Sequence, residues 1–126
     1  MNLENELFTW LGTNVPLATG GIYNTVAKQD VVAPYLIFQK LNRIPGYSHD
    51  GPSGFDPCRV QFTACASTMA TALSITTQLE TALSGFRGSM GALEVGSAFI
   101  ELETSSYDLD IQLYSSIVDY IITIQN

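Results

Sequence analysis

The chain of 126 residues contains one histidine, two cysteines, one tryptophan and only five basic residues against twelve acidic ones. Each shortage excludes something. A single histidine cannot build a multi-histidine metal site. The cysteines, Cys58 and Cys65, stand seven apart in what reads as one strand. That odd spacing points them to opposite faces, roughly 23 Å apart along the strand, whereas a disulfide needs Cα atoms within about 7 Å. Both are expected as free thiols, consistent with a reducing compartment, and an activated thiolate would have only His49 as its base. A net charge of −7 argues against tight nucleic-acid binding, which draws on clustered Lys and Arg. Charged residues make up 13% of the chain and hydrophobic ones 46%, so it is no disordered polyelectrolyte, and its surface must be rich in uncharged Ser, Thr, Gln and Asn. Such a surface suits a subunit with neighbours. The longest apolar run, Val31 to Phe38, is far short of a membrane span, and Glu4 and Glu6 occupy positions where a signal peptide carries Lys or Arg. The expectation is one soluble domain, 1–126, that stays where it is made.

What the sequence does have is periodicity. Leu3, Leu7, Trp10 and Leu11 recur at helical spacing before Gly12, predicting a short helix over Asn2–Leu11. Ile22–Val26 reads as a weak strand, and "YLIFQKLNR" after Pro34 as a stronger one ending near Arg43. Cys58, Val60, Phe62, Ala64 and Ala66 alternate with polar partners, the period of a half-buried strand. Ser67 is the expected cap of a second helix whose inward face carries Met69, Ala72, Leu73, Thr76, Leu79 and Leu83, with Gly85 as its left-handed terminator. "GFRGSMG" reads as a loop. Leu93–Glu103 is expected as a strand with Ala98, Ile100 and Leu102 on its core face and Phe99, Glu101 and Glu103 on the other. Leu113–Ile124 closes the chain as a last alternating strand. The fold class expected is α+β: an antiparallel sheet of about four to five strands, two helices on one face, and a long loop between the second and third strands.

That loop, "NRIPGYSHDGPSGFDPCR" from Asn42 to Arg59, is longer than a compact domain normally tolerates without a use for it. Enzyme chemistry is not its use. Ser48, His49 and Asp50 are contiguous, whereas triad members converge from separate elements. The glycines at 85, 88 and 91 follow a helix instead of preceding one and lack the Lys-Ser/Thr pair of a phosphate loop. Glu101 with Glu103, and Asp108 with Asp110, have no neighbour in sequence that would perturb them. No catalytic residue, metal ligand or cofactor is expected. Charge is more informative: Lys28, Lys40, Arg43 and Arg59 cluster in the first half, and no base follows Arg87 while six acids do. Unlike charged sides suit head-to-tail packing of identical subunits.

Three stretches, taken in order, resemble a known family. "APYLIFQKLNR" (Ala33–Arg43), a Gly/Pro-containing loop, and "RVQFTACASTMATALSITTQLETAL" (Arg59–Leu83) are similar to the tail-completion proteins of long-tailed bacteriophages, also called tail terminators or tail-to-head joining proteins. There a Pro-aromatic-hydrophobic strand, an Arg-x-Gln strand and an alanine-containing helix follow one another. Here these are Pro34 and Tyr35, Arg59 and Gln61, and Ala70 and Ala72. "YSSIVDYIITI" (Tyr114–Ile124) resembles the family's last strand, so the likeness runs over most of the chain.

The resemblance implies a non-enzymatic ring, typically a hexamer. Such a ring caps the tail tube, ends its polymerisation and presents the joining surface for a head-closure or connector protein, while DNA passes through without specific binding. It implies a virion protein of the tail or neck, assembled in the host cytoplasm. In such a ring the long loop is a natural arm for a neighbouring subunit or the tube, with Arg43, Ile44, Tyr47, His49, Phe55 and Arg59 as partner-binding candidates. Glu101 and Glu103, on an acidic C-terminal part, are candidates to face the DNA channel. Two other readings stand beside it: another neck component such as a head-closure protein, and a small-ligand-binding regulatory α+β module.

Overall fold

The computed structural model describes residues 3–26, 32–43, 47–48, 51–52, 55–91, 93–109 and 112–125. Helix α1 spans Leu3–Asn14, β1 Ile22–Asn24, β2 Tyr35–Arg43, β3 Tyr47–Ser48, β4 Gly51–Pro52 and β5 Phe55–Ala66. Helix α2, Met69–Leu83, is followed by β6 Gly88–Met90, β7 Leu93–Asp108 and β8 Leu113–Gln125. Six strands form one sheet in the order β1-β2-β5-β8-β7-β6, and β3 and β4 pair separately.

This corrects the expected four-to-five-stranded antiparallel sheet. The sheet is mixed, because β1 runs parallel to β2, with Ile22 opposite Leu36 and Asn24 opposite Phe38, and it curls into a half-barrel. The sixth strand comes from the segment read as a loop. Met90 pairs with Leu93 and Gly88 with Val95, while Gly91, at φ +62, sits in the turn between them. Gly88 within it and Gly85 and Gly91 around it make β6 look like turn sequence, yet an edge strand of three residues can carry one glycine.

One face of the sheet and both helices share a single core. Leu36 and Phe38 from β2, Val60 and Phe62 from β5, and Tyr120 and Ile122 from β8 are fully buried with Leu7 and Leu11 of α1 and Ile75, Leu79 and Leu83 of α2. Burying each such side chain contributes roughly 1.5–3 kcal/mol. Phe62 and Tyr120 meet edge-on at 5.7 Å, and Trp10 meets Phe86 at 5.6 Å where α1 passes the chain leaving α2.

Helix α2 is capped by Thr68, whose hydroxyl accepts the Thr71 N–H at 3.2 Å, and not by Ser67. Its inward face carries Ile75 where Leu73 was expected, and Leu73 is exposed. The buried set Ala72, Ile75, Thr76, Leu79 and Leu83 keeps a strict i, i+3, i+4, i+7 pattern. Gly85 ends the helix at φ +76, and its N–H donates to the Ala98 carbonyl at 2.8 Å, tying the helix exit to β7.

Candidate assembly surface

Strand β5 positions the sheet's two faces. Cys58, Val60, Phe62 and Ala64 point to the helices, so Arg59, Gln61, Thr63 and Cys65 lie on the face without helices. Across the ladder, Gln39, Gln61 and Asp119 stand side by side on that face, followed by Leu102. Both cysteines are buried and neither is in a disulfide; Cys65 Sγ lies 3.6 Å from Ser115 Oγ.

The registers of β2 and β7 are each broken, and the breaks decide where charges go. In β7 the pairing slips between Ile100 and Leu102, leaving Glu101 as the extra residue of a bulge. Beyond it the faces exchange: Leu102 stands opposite Asp119 and is 57% exposed, while Glu103 stands opposite Val118 on the helix side. The expected shared face of Glu101 and Glu103, with Leu102 in the core, is therefore corrected. The period-2 reading fails because one inserted residue inverts every later side chain. Glu101 reaches over β8 to Arg59, Oε1 to Nη2 at 2.6 Å, on the face without helices. Arg59 thus has its acidic partner within the same chain. A second bulge lies between Lys40 and Asn42 of β2. Lys40, on the helix side, bonds Glu4 of α1 at 3.1 Å, and Asn24 donates to the same carboxylate at 3.0 Å. The Asn24 bond first, and Lys40 second, hold the Glu4 carboxyl below its usual value.

Of the other partner-binding candidates, Ile44 and His49 lie outside the described residues. For Arg43, Tyr47 and Phe55 the description extends to the backbone: Arg43 stands opposite Cys58, Tyr47 opposite Pro52 and Phe55 opposite Gln125. The structure thus brings Arg59 and Glu101 together and separates Glu103 from both.

Two buried polar atoms have no hydrogen-bond partner among the described residues, Asp119 Oδ1 and the Tyr120 hydroxyl. Sequence reading missed Asp119 as a buried group, because its place in the alternation of β8, between Val118 and Tyr120, assigns it to the polar face. Desolvation raises the Tyr120 hydroxyl to about 12, with Glu80 and Glu103 adding to it. Tyr35 is raised to about 12 as well, by burial first and then by Cys65.

Among the described residues β6 pairs with β7 over Leu93–Val95, and the Gly85 N–H donates to the Ala98 carbonyl. Residues 101–109 are exposed, including Leu102, Tyr107 and Leu109. An open groove of about 520 Å³ lies along α2 beside the end of α1. Asn14, Leu73, Ser74, Thr77, Gln78 and Thr81 line it, without a charged side chain. Among the described residues no helix is long and apolar enough to cross a membrane, and no group of three or more His, Cys, Asp or Glu is placed to hold a metal ion.

No protein-family model matches the chain, and no curated protein matches it in sequence. Among solved structures it shares the fold of a chain in the virion of a native gene transfer agent particle, with a TM-score of 0.80 at 11% sequence identity, over 98% of this chain and 95% of that one.

Proposed function

We propose that this chain is a virion structural protein that caps the tail tube as a ring, ends tube polymerisation and forms the tail-to-head joining surface around the DNA channel. The observation that carries the reading is the near-complete likeness in fold to a virion chain, over a sequence whose ordered motifs resemble tail-completion proteins. At 11% identity the likeness speaks to the fold; the function is our inference. The weakly charged surface, with Lys and Arg kept off the strand arm of β7, agrees with a subunit that has protein neighbours and lets DNA pass. In this reading the ring is a homo-oligomer, typically a hexamer, stacked between tube protein and a head-closure or connector protein, and it performs no catalysis.

The test is electron microscopy of particles assembled without this chain. Tails of uncontrolled length, or finished tails not joined to heads, are the expected result; normal joined tails would overturn the proposal. Unjoined tails of normal length with a terminating ring still present would assign the chain to head closure instead. The uncharged groove along α2, beside the end of α1, favours the other reading, a small-ligand module. Mass measurement of the purified chain, alone and with tube subunits, separates the two: a discrete ligand-binding dimer supports the module, and a ring formed at tube ends supports the terminator.

A further inference from the structure

We propose that Glu80 of α2 and Glu103 of β7 hold a hard divalent cation, calcium or magnesium, beside the buried hydroxyl of Tyr120. The site stands or falls independently of the ring reading. Two contacts fix how α2 lies over the sheet. Near its middle, Thr76 Oγ1 meets Ser116 Oγ of β8 at 3.0 Å; past its end, the Gly85 N–H donates to the Ala98 carbonyl of β7 at 2.8 Å. Ser116 stands opposite Ser105, and Ala98 opposite Ile122. On the helix side of β8 the residues between these two rows are Val118 and Tyr120, and their partners on β7 are Glu103 and Ile100. Glu80 stands midway between Thr76 and Gly85, at the height of those rows.

The flank of α2 that carries Glu80 is fixed as well. Gln78 accepts the Leu17 N–H at 3.1 Å, so its flank faces the chain leaving α1. Helix α1 is itself tied through Glu4 to Lys40 of β2 and Asn24 of β1, toward the β1 end of the sheet. Glu80 lies two residues beyond Gln78, roughly 200° round the helix, with the inward set from Ala72 to Leu83 between them. It therefore projects on the other flank, toward β7, where Glu103 occupies the row next to that of Tyr120. In agreement with this placement, the charges of Glu80 and Glu103 add to the desolvation that raises the Tyr120 hydroxyl to about 12.

The chemistry of the three groups selects the ligand. Both carboxylates are exposed, and neither side chain has an ion pair or hydrogen bond among the described residues. Tyr120 is 0% exposed, yet its hydroxyl has no partner there, whereas a buried hydroxyl is nearly always bonded. Oxygen is the only donor type on offer, which suits calcium or magnesium and not a softer metal. With two acids in place, water completes the shell, as it does where magnesium is held by one or two carboxylates. A cation-bound water then donates to the Tyr120 oxygen and ends its isolation. The cation also cancels the repulsion between the two acids, and it ties the exposed outer half of β7, residues 101–109, to α2.

Terbium, which replaces calcium among oxygen donors and emits when a nearby tyrosine is excited, tests the site. The full-length chain, stripped with EDTA, is titrated with terbium chloride, and the emission is then competed with calcium or magnesium. Saturable emission, displaced by one of the two below about 10 mM, is expected, since even the weaker calcium sites fill by then. Glu80→Gln and Glu103→Gln should each weaken binding about tenfold or more, a loss that changes one shell further out already cause. Tyr120→Phe should lose most of the emission, and Asp108→Asn, at the far end of β7, should lose none. Both glutamates are exposed, so their variants are expected to fold, which circular dichroism checks. A second measurement does without terbium: calcium or magnesium should raise the melting temperature of wild type and not that of Glu80→Gln. No saturable emission, emission that neither cation displaces below that limit, emission that both glutamate variants leave intact, or emission that Asp108→Asn abolishes overturns the proposal. So does a wild-type melting temperature that neither cation moves.

Discussion

At the scale of single residues, the groups that lack partners are as informative as those that have them. The Tyr120 hydroxyl is fully buried against Phe62, and no donor or acceptor among the described residues reaches it. An unsatisfied buried hydroxyl costs about 1–3 kcal/mol. Tyr120→Phe is therefore expected to stabilise the chain by about 1 kcal/mol at neutral pH, measured by urea denaturation. The same residue makes a prediction at high pH. Its folded value is raised from 10.0 to about 12, so the unfolded chain ionises first. The stabilisation is fully present below about pH 10 and is lost as the pH rises toward 12. Tyr35 behaves alike. Wild type should accordingly weaken steeply between those values, and Tyr120→Phe less steeply; parallel curves for the two proteins would refute the assignment. Arg59 and Glu101, by contrast, are paired but partly exposed, and such a pair contributes only about 0.2–1 kcal/mol. Its importance lies in what it neutralises and not in the stability it adds.

At the scale of elements, the ends and irregularities decide more than the interiors. Thr68 supplies the cap bond of α2, so Thr68→Ala should cost about 1 kcal/mol and Ser67→Ala nearly nothing, read from thermal melts of both. Gly85, at φ +76, has open space where a Cβ would go. Gly85→Ala should then cost about 1–2 kcal/mol through backbone strain alone, with no clash to relieve. Interiors were legible: β2 at Tyr35–Arg43 and the inward set Cys58, Val60, Phe62, Ala64 and Ala66 of β5 follow from alternation, because a strand with one covered face must repeat every second residue. The bulge at Glu101 was not legible. Glu, Leu and Glu in succession alternate as well as any half-buried strand, and only the partner β8 reveals that one residue has no place in the ladder. Strand β6 was hidden by Gly88 and the glycines around it, and the parallel β1 by the absence of any sequence mark for pairing direction. Of the candidate surface, the cluster of acids after Arg87 was visible in composition, but its division between two faces needed the register.

At the scale of the whole molecule, the sheet has one face built into the core and one left without helices, and under the ring reading the second is the face to set toward the channel. It presents Gln39, Gln61 and Thr63, with Arg59 as a cation bound to Glu101. A bare arginine beside passing DNA would hold its phosphates; an arginine tied to a carboxylate holds them less. Glu101→Gln should leave rings intact, release Arg59, and slow DNA exit from assembled particles. Added salt should cancel that effect, since the interaction is screened over about 8–10 Å. Glu103→Gln changes a residue on the helix side and should leave exit unchanged. The double variant Arg59→Gln with Glu101→Gln restores a face without a free cation and should exit at the wild-type rate. Slowing by Glu103→Gln in place of Glu101→Gln would mean that the helix side faces the DNA. Unchanged exit in both variants at low salt would remove either acid from any role in the channel, and the Arg59–Glu101 pair would then be a local tie between β5 and β7 across the back of β8.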